Sequence, residues 1–145
     1  MISDKINQLL EYEASLFRII QQEVAEDEDY IADMNARDQL FEKGINALGI
    51  PIADYQPYTG RTIQIKQARN QPTNRVTLYN EGDFHRSFYL EIYTDQFYIT
   101  ASDSITEDLI EKYGEDIFGL TSENINELIW EYLYPRLITE LKQKQ

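Results

Sequence analysis

The chain has 145 residues, a formal net charge of -13, a single histidine and no cysteine. One hydrophobic core is expected at this length, and the missing cysteine excludes disulfides, thiolate nucleophiles and cysteine metal sites. No apolar run approaches the roughly 20 residues that span a bilayer, and Met1-Ile2-Ser3-Asp4-Lys5 lacks the basic flank of a signal peptide, so a soluble intracellular protein with no membrane partner is expected.

The charge is unevenly spread. Residues 1–54 carry four basic and twelve acidic side chains, residues 55–80 four basic and none acidic, and residues 81–145 five basic and fourteen acidic. An acidic body with one basic insert is soluble and repels double-stranded DNA at long range. The insert holds Arg61, Lys66, Arg69 and Arg75, which suit a phosphate, an acidic patch on a neighbouring subunit, or simply a solvated loop.

In chain order, Ser3 reads as an N-cap, and Ile6, Leu9, Leu10, Leu16, Phe17, Ile20 and Val24 recur at helical spacing, predicting a helix over about 4–24. Glu26-Asp27-Glu28-Asp29 suits the electropositive first turn of a second helix. There Tyr30, Ile31, Met34, Phe41, Ile45 and Leu48 keep helical spacing until a stop at Gly49 and Pro51. The alternative is one long bent helix, and either way 1–49 is helical.

Pro51, Pro57, Gly60 and Pro72 punctuate 50–75, which reads as an extended arm able to reach a neighbour. Within it Thr62-Ile63-Gln64-Ile65-Lys66 reads as a short strand or as the start of a short helix to Ala68. An antiparallel sheet over 76–101 follows: Val76–Tyr79, then Ser87–Tyr93 and Phe97–Ala101 joined by the turn Thr94-Asp95-Gln96. The alternation of Phe88, Leu90 and Ile92 with Tyr89, Glu91 and Tyr93, and of Phe97 and Ile99 with Tyr98 and Thr100, predicts one buried face and one tyrosine-bearing face. Tyr89, Tyr93 and Tyr98 combine apolar rings with polar tips, as interface residues do.

Beyond the sheet, 105–145 reads as helical. Ile105–Tyr113 ends at Gly114, Glu115–Leu120 connects, and Thr121 or Ser122 caps a closing helix lined by Ile125, Leu128, Ile129, Tyr132, Leu133, Leu137 and Leu141. Pro135 predicts a kink near Glu131–Tyr134 or a break into two helices. The fold class is therefore α+β, with N-terminal helices, a small antiparallel sheet with a central hairpin, and a C-terminal amphipathic helix in a single domain.

Little chemistry is visible. His85 is the lone histidine, which excludes a multi-histidine metal site. Asp83 could orient it, but Ser87 offers no nucleophile elbow, so no catalytic residues are expected. Residues 26–33 are rich in carboxylates but lack the glycine and terminal glutamate of a calcium loop. Gly114 and Gly119 read as helix punctuation rather than a phosphate cradle, so neither metal nor cofactor is expected.

The stretch Thr77-Leu78-Tyr79-Asn80-Glu81-Gly82-Asp83-Phe84-His85-Arg86-Ser87-Phe88 resembles the strand, glycine turn and Ser-aromatic strand of tailed-bacteriophage virion-morphogenesis proteins, the small neck and tail-completion subunits of head–tail joining. Tyr113-Gly114-Glu115-Asp116-Ile117-Phe118-Gly119-Leu120-Thr121-Ser122-Glu123-Asn124 is similar to that family's short aromatic-Gly-Leu-Ser/Thr lead into a closing amphipathic helix. Asn80-Glu81 stands where Asp-Thr is usual. Independently of the likeness, Gly82 can take a positive φ and Asn80 and Asp83 can bond nearby backbone, which would reverse the chain between strands.

The resemblance implies a non-enzymatic structural subunit of the virion, assembled in the bacterial cytoplasm, that forms a ring with copies of itself between portal and tail tube. Its partners would be connector and tail proteins, with DNA passing through the ring without sequence-specific binding. Arg61, Lys66, Arg69, Arg75, Tyr89, Tyr93 and Tyr98 are the candidate subunit interface. Reversal of Arg61, Lys66 and Arg69 to glutamate is then expected to weaken ring formation and spare folding. The competing expectation is an acidic inhibitor or DNA mimic that occupies the groove of a basic partner.

Overall fold

A computed structural model describes residues 2–143. The chain is 63% helical and carries one two-stranded antiparallel hairpin between helices, an α+β arrangement. Helix α1 (Ile2–Glu26) is followed by α2 (Glu28–Asp33), which runs on as a π-helical stretch over Met34–Lys43. Ser3 therefore lies within α1 and not at its cap. The second helix stops at Gly44, five residues before the expected Gly49–Pro51 signal. Gly44 takes the left-handed conformation (φ 63°), and a Cβ there would meet the Arg75 Cβ at 2.8 Å, so glycine serves both the turn and the close approach.

The segment 50–75 is not an extended arm. It holds helix α3 (Gly60–Ala68), capped by Thr59, whose hydroxyl accepts from the Thr62 N–H at 3.2 Å. The helical reading of 62–68 therefore replaces the strand reading, because a capping threonine two residues before Arg61 starts a helix that the prolines flank without interrupting.

Val76–Tyr79 does not form the expected strand. Val76 and Leu78 are buried, but Leu78 has φ 56°, outside the extended region, and no strand pairs with this segment among the described residues. Side chains satisfy its backbone instead. Tyr58 Oη accepts from Thr77 N–H at 2.9 Å, His85 Nε2 bonds Thr77 O at 2.9 Å, and Lys66 Nζ donates to Tyr79 O at 2.7 Å. Such bonds replace a ladder at comparable free energy, so the segment is buried without a neighbouring strand.

Gly82 takes the predicted positive φ (92°), but it leads into a single helical turn, α4 (Asp83–Arg86). Asn80 and Asp83 do not bond to neighbouring backbone. Their carboxamide and carboxylate oxygens accept from Arg69 and Arg86 instead. The hairpin pairs β1 (Phe88–Ile92) with β2 (Phe97–Ala101), Leu90 opposite Ile99, and Tyr93 N–H donating to Gln96 O across the turn.

Helix α5 (Thr106–Tyr113) ends at Gly114 (φ 89°), a 3₁₀ turn follows over Glu115–Ile117, and Thr121 caps α6 (Ser122–Glu127) by accepting from Asn124 N–H. The chain then continues through a π-helical stretch, Leu128–Leu133, into α7 (Tyr134–Gln143). Pro135 removes one helical donor, and the preceding widened turn, in which Tyr134 N–H donates to Ile129 O, absorbs the mismatch in place of a break.

Two apolar clusters make the core. One gathers Leu40, Ile52, Val76, Leu78, Phe84, Ala101, Tyr113 and Ile117; the other gathers Val24, Ile31, Met34, Leu90, Ile99 and Leu128. Phe88 and Phe118 pack against both, their rings 5.2 Å apart, and join them. The expected apolar face of α1 is covered only in part. Ile19 and Val24 are buried, whereas Ile6, Leu9 and Leu10 are 50%, 68% and 58% exposed.

Candidate interaction surfaces

The hairpin has two unlike edges. Ser102 N–H donates to Ser87 O and Tyr93 N–H to Gln96 O, so those pairs and the alternate pairs between them, Tyr89 with Thr100 and Glu91 with Tyr98, exchange the ladder bonds. The backbone groups of Leu90 and Ile99 must therefore point away from the hairpin. On the β1 side the Glu28 carboxylate accepts from Leu90 N–H at 3.2 Å, and the Gln21 amide donates to Tyr93 O at 3.3 Å. Glu28 belongs to the acidic cluster that reads as a solvated helix start; it closes a sheet edge.

No strand lies on the β2 side among the described residues. Phe97–Ala101 carries no charge, proline or bulge, the devices that ordinarily blunt a sheet edge. A groove of about 490 Å³ runs beside it, walled by Ile99, Phe118, Leu120 and Ile125 with Glu91 and Glu115 among its lining.

The outward face of the hairpin carries the predicted tyrosines. Tyr89, Tyr93 and Tyr98 are all exposed, with the Tyr93 and Tyr98 rings 5.8 Å apart in an edge-on contact. The phenols of Tyr89 and Tyr93 both reach the Glu91 carboxylate, and its negative charge raises the pKa of Tyr93. The structure thus brings the three tyrosines onto one face around a single carboxylate.

The basic insert is not gathered into one outward patch. Lys66 is buried, its ammonium held by Tyr79 O and Gln71 Oε1 and lying 5.0 Å from the centre of the Tyr58 ring. Arg75 is turned inward, its Nε donating to Phe41 O at 2.7 Å, and lies over the Phe41 ring. Arg69 pairs with Asn80, and exposed Arg61 has no hydrogen bond or ion pair among the described residues. Lys66 and Arg75 therefore brace the 76–80 segment, and the cations left to a partner are Arg61 and Arg69.

His85 borders a cleft of about 300 Å³ that also includes Tyr58, Lys66, Arg69, Asp83 and Asp103. Its Nε2 is tied to Thr77 O, and its pKa is lowered below the ordinary imidazole value, chiefly by burial, against an opposing contribution from the backbone bonds. Neither Asp83 nor Ser87 is hydrogen-bonded to the imidazole among the described residues. Asp83 pairs with Arg86, and Ser87 Oγ donates to Phe84 O while accepting from Asp103 N–H. The helical turn α4 is the reason, since it rotates residues two apart to different sides.

Two surfaces were not legible as sites. Trp130 and Tyr134 stack with centroids 5.3 Å apart and are 62% and 47% exposed, on a helix whose pattern reads simply as amphipathic. The outer half of α1 is the other. Among the described residues no three His, Asp or Glu side chains are grouped to hold a metal, and no helix is long and apolar enough to cross a membrane. Compared with protein families, with curated proteins and with solved structures, the chain matches none.

Proposed function

We propose that this chain is a non-enzymatic assembly subunit that works by joining copies of itself, and that its setting is the head–tail connector of a tailed phage, as a neck or tail-completion component of the virion. The single supporting observation is the uncharged, unpaired edge of β2 beside the tyrosine face. In a chain of net charge -13, an edge free of charge is where another strand can add with least repulsion, and a backbone ladder plus half-exposed tyrosines supplies the affinity. A ring needs two unlike, complementary patches on each subunit. The acidic helices and Arg61 with Arg69 meet that requirement, and the other partners in this reading are connector and tail proteins, with DNA passing through the ring without sequence-specific binding.

The test is assembly of the intact chain, alone and with portal complexes, followed by native mass spectrometry and negative-stain imaging. Tyr98→Lys places a charge on the open edge at an exposed position and is expected to lower the ring population strongly with an unchanged circular-dichroism spectrum. Rings that persist unaltered in Tyr98→Lys remove β2 from the contact, and no higher-order species in any condition removes the reading itself.

The second reading, an acidic inhibitor or DNA mimic, is favoured by one observation: Lys66 and Arg75 face inward, which leaves the exterior more acidic than the sequence suggests. It predicts a monomer or dimer that binds a basic partner with steep salt dependence. Size-exclusion chromatography with light scattering separates the two.

A further inference from the structure

The apolar stripe of α1 is broken once, at Glu13, and the fold covers only its inner part. Ile2, Ile6, Leu9, Leu16 and Ile20 follow alternating three- and four-residue steps, with Glu13 occupying the one intervening place in the stripe. Ile20 and Val24 meet the second core cluster, whereas residues 2–14 are all exposed, Ile2 by 79% and Leu9 by 68%. At about 1.5 Å per residue the bare part extends for roughly 20 Å.

We propose that this bare half of α1 pairs in antiparallel fashion with the same segment of a second copy. Three features point to that occupant. First, residues 2–10 carry one acid, Asp4, and one base, Lys5, in a chain that is otherwise strongly acidic, so two copies approach here with little repulsion. Second, Glu13 sits in the stripe. A parallel pair would set Glu13 against its own counterpart, while an antiparallel pair with Ile6 opposite Leu9 carries Glu13 to the start of the other helix.

Third, that position is electropositive. The first turn of a helix presents free N–H groups, and Lys5 lies at the seam there while Asp4, in the same turn, points to the outer side. Each end of the pair thus sets Glu13 against Lys5 and a helix N-terminus. The contact is two-fold and isologous, distinct from the head-to-tail contact a ring requires, so it does not rest on the connector reading. Its area lies at the small end of specific interfaces, which corresponds to a dissociation constant on the order of micromolar or weaker.

Sedimentation velocity on the full chain across the micromolar range is expected to show a monomer–dimer equilibrium. Leu9→Lys alters only an exposed position and is expected to weaken dimerisation about tenfold or more. Lys5→Glu is expected to weaken it roughly threefold, with recovery in the Lys5→Glu, Glu13→Lys double variant. These two residues are eight apart in one helix, too far for a direct pair within a chain, so recovery reports a contact between copies. Because the chain has no cysteine, single cysteines read the direction: an Ile2→Cys and Glu13→Cys mixture should cross-link between variants in preference to Ile2→Cys with itself. A monomer at every concentration, or preferential Ile2→Cys homodimers, overturns the proposal. Neither result alters the Tyr98→Lys outcome, which concerns the ring.

Discussion

Gln39 reads the backbone around Gly119 from 80 residues away in the chain. Its amide donates to Gly119 O at 2.9 Å, and its Oε1 accepts from Thr121 N–H at 2.9 Å and from the Asn124 amide at 2.8 Å. One turn earlier Asn35 does the same for the preceding residues, donating to Ile117 O at 2.9 Å and accepting from Gly119 N–H at 2.8 Å. Both side chains are fully buried. The π-helical stretch thus acts as an edge for the 117–121 segment, fixing where the C-terminal helices begin.

Replacing Gln39 with leucine keeps a side chain of similar size and removes the bonds. Because buried donors and acceptors are then left without partners at about 1–3 kcal/mol each, Gln39→Leu is expected to destabilise the fold by about 3 kcal/mol, measured by urea denaturation. A loss below about 1 kcal/mol would mean that water or a relaxed backbone replaces Gln39.

Gly119→Ala probes the same segment through its backbone. Gly119 has φ 122°, and a Cβ would meet the Ala47 Cβ at 3.0 Å. Strain at a disfavoured φ amounts to about 1–3 kcal/mol, so a drop of that order in urea stability is expected, whereas Gly49→Ala, with open space around the Cβ, incurs only the φ term. Because Gly49 has φ 79°, a larger drop in the Gly119→Ala midpoint reports the Ala47 contact together with the less favourable φ at Gly119.

Arg136 ties α7 to the junction of α1 and α2. It pairs with Asp27 at 2.6 Å and Glu23 at 3.3 Å, and both carboxylates are buried while the arginine is half exposed. Its pKa is raised, first by the hydrogen bond to Asp27. Arg136→Met would leave two buried acids facing each other without a cation. Discounting the buried-pair value for the arginine's exposure, the loss is expected to be about 2 kcal/mol. Thermal unfolding should show it, with partial recovery in the Arg136→Met, Glu23→Gln double variant.

His85 gives a pH dependence with a definite sign. Its folded-state pKa is lowered, so below the unfolded value near 6.5 the unfolded chain binds a proton that the native state resists. The contribution from His85 is therefore fully present above pH about 6.5 and is lost as pH falls toward the folded value, at no more than about 1.4 kcal/mol per pH unit. His85→Gln is expected to flatten the urea-derived stability profile between pH about 7 and 5; an unchanged slope would assign that dependence to carboxylates.

The basic insert separates folding from assembly. Because Lys66 Nζ is held by Tyr79 O inside the fold, Lys66→Glu is expected to destabilise the monomer by about 3 kcal/mol or more. Reversing all three of Arg61, Lys66 and Arg69 would therefore not spare folding. Arg61→Glu alone should leave the thermal midpoint unchanged, so any loss of assembly in that variant reports a surface role.

The hairpin was legible because its causes are local. Alternation in Phe88–Ile92 and Phe97–Ala101 marks the two faces, and a short turn fixes the Leu90–Ile99 register whatever surrounds it. Gly114 and Thr121 were readable for the same reason, since helix ends are set by the backbone freedom of one residue or one hydroxyl's reach. Gly82 supplied its positive φ as expected, but whether a strand or a helical turn followed depended on contacts beyond the motif.

The tertiary structure alone decided what covers each patterned face and what partners each polar group. Val76–Tyr79 has a strand-like sequence but no strand beside it among the described residues, and Tyr58, Lys66 and His85, whose side chains nothing local aims at this backbone, take its bonds. Asn35 and Gln39 look like solvated helix residues until the 117–121 backbone arrives. The stripe of α1 runs through both halves of the helix, broken only at Glu13, and only the fold's geometry leaves one half bare. Periodicity reports the chemistry of a surface, whereas burial and partnership depend on residues far along the chain, and that dependence is absent from any local window.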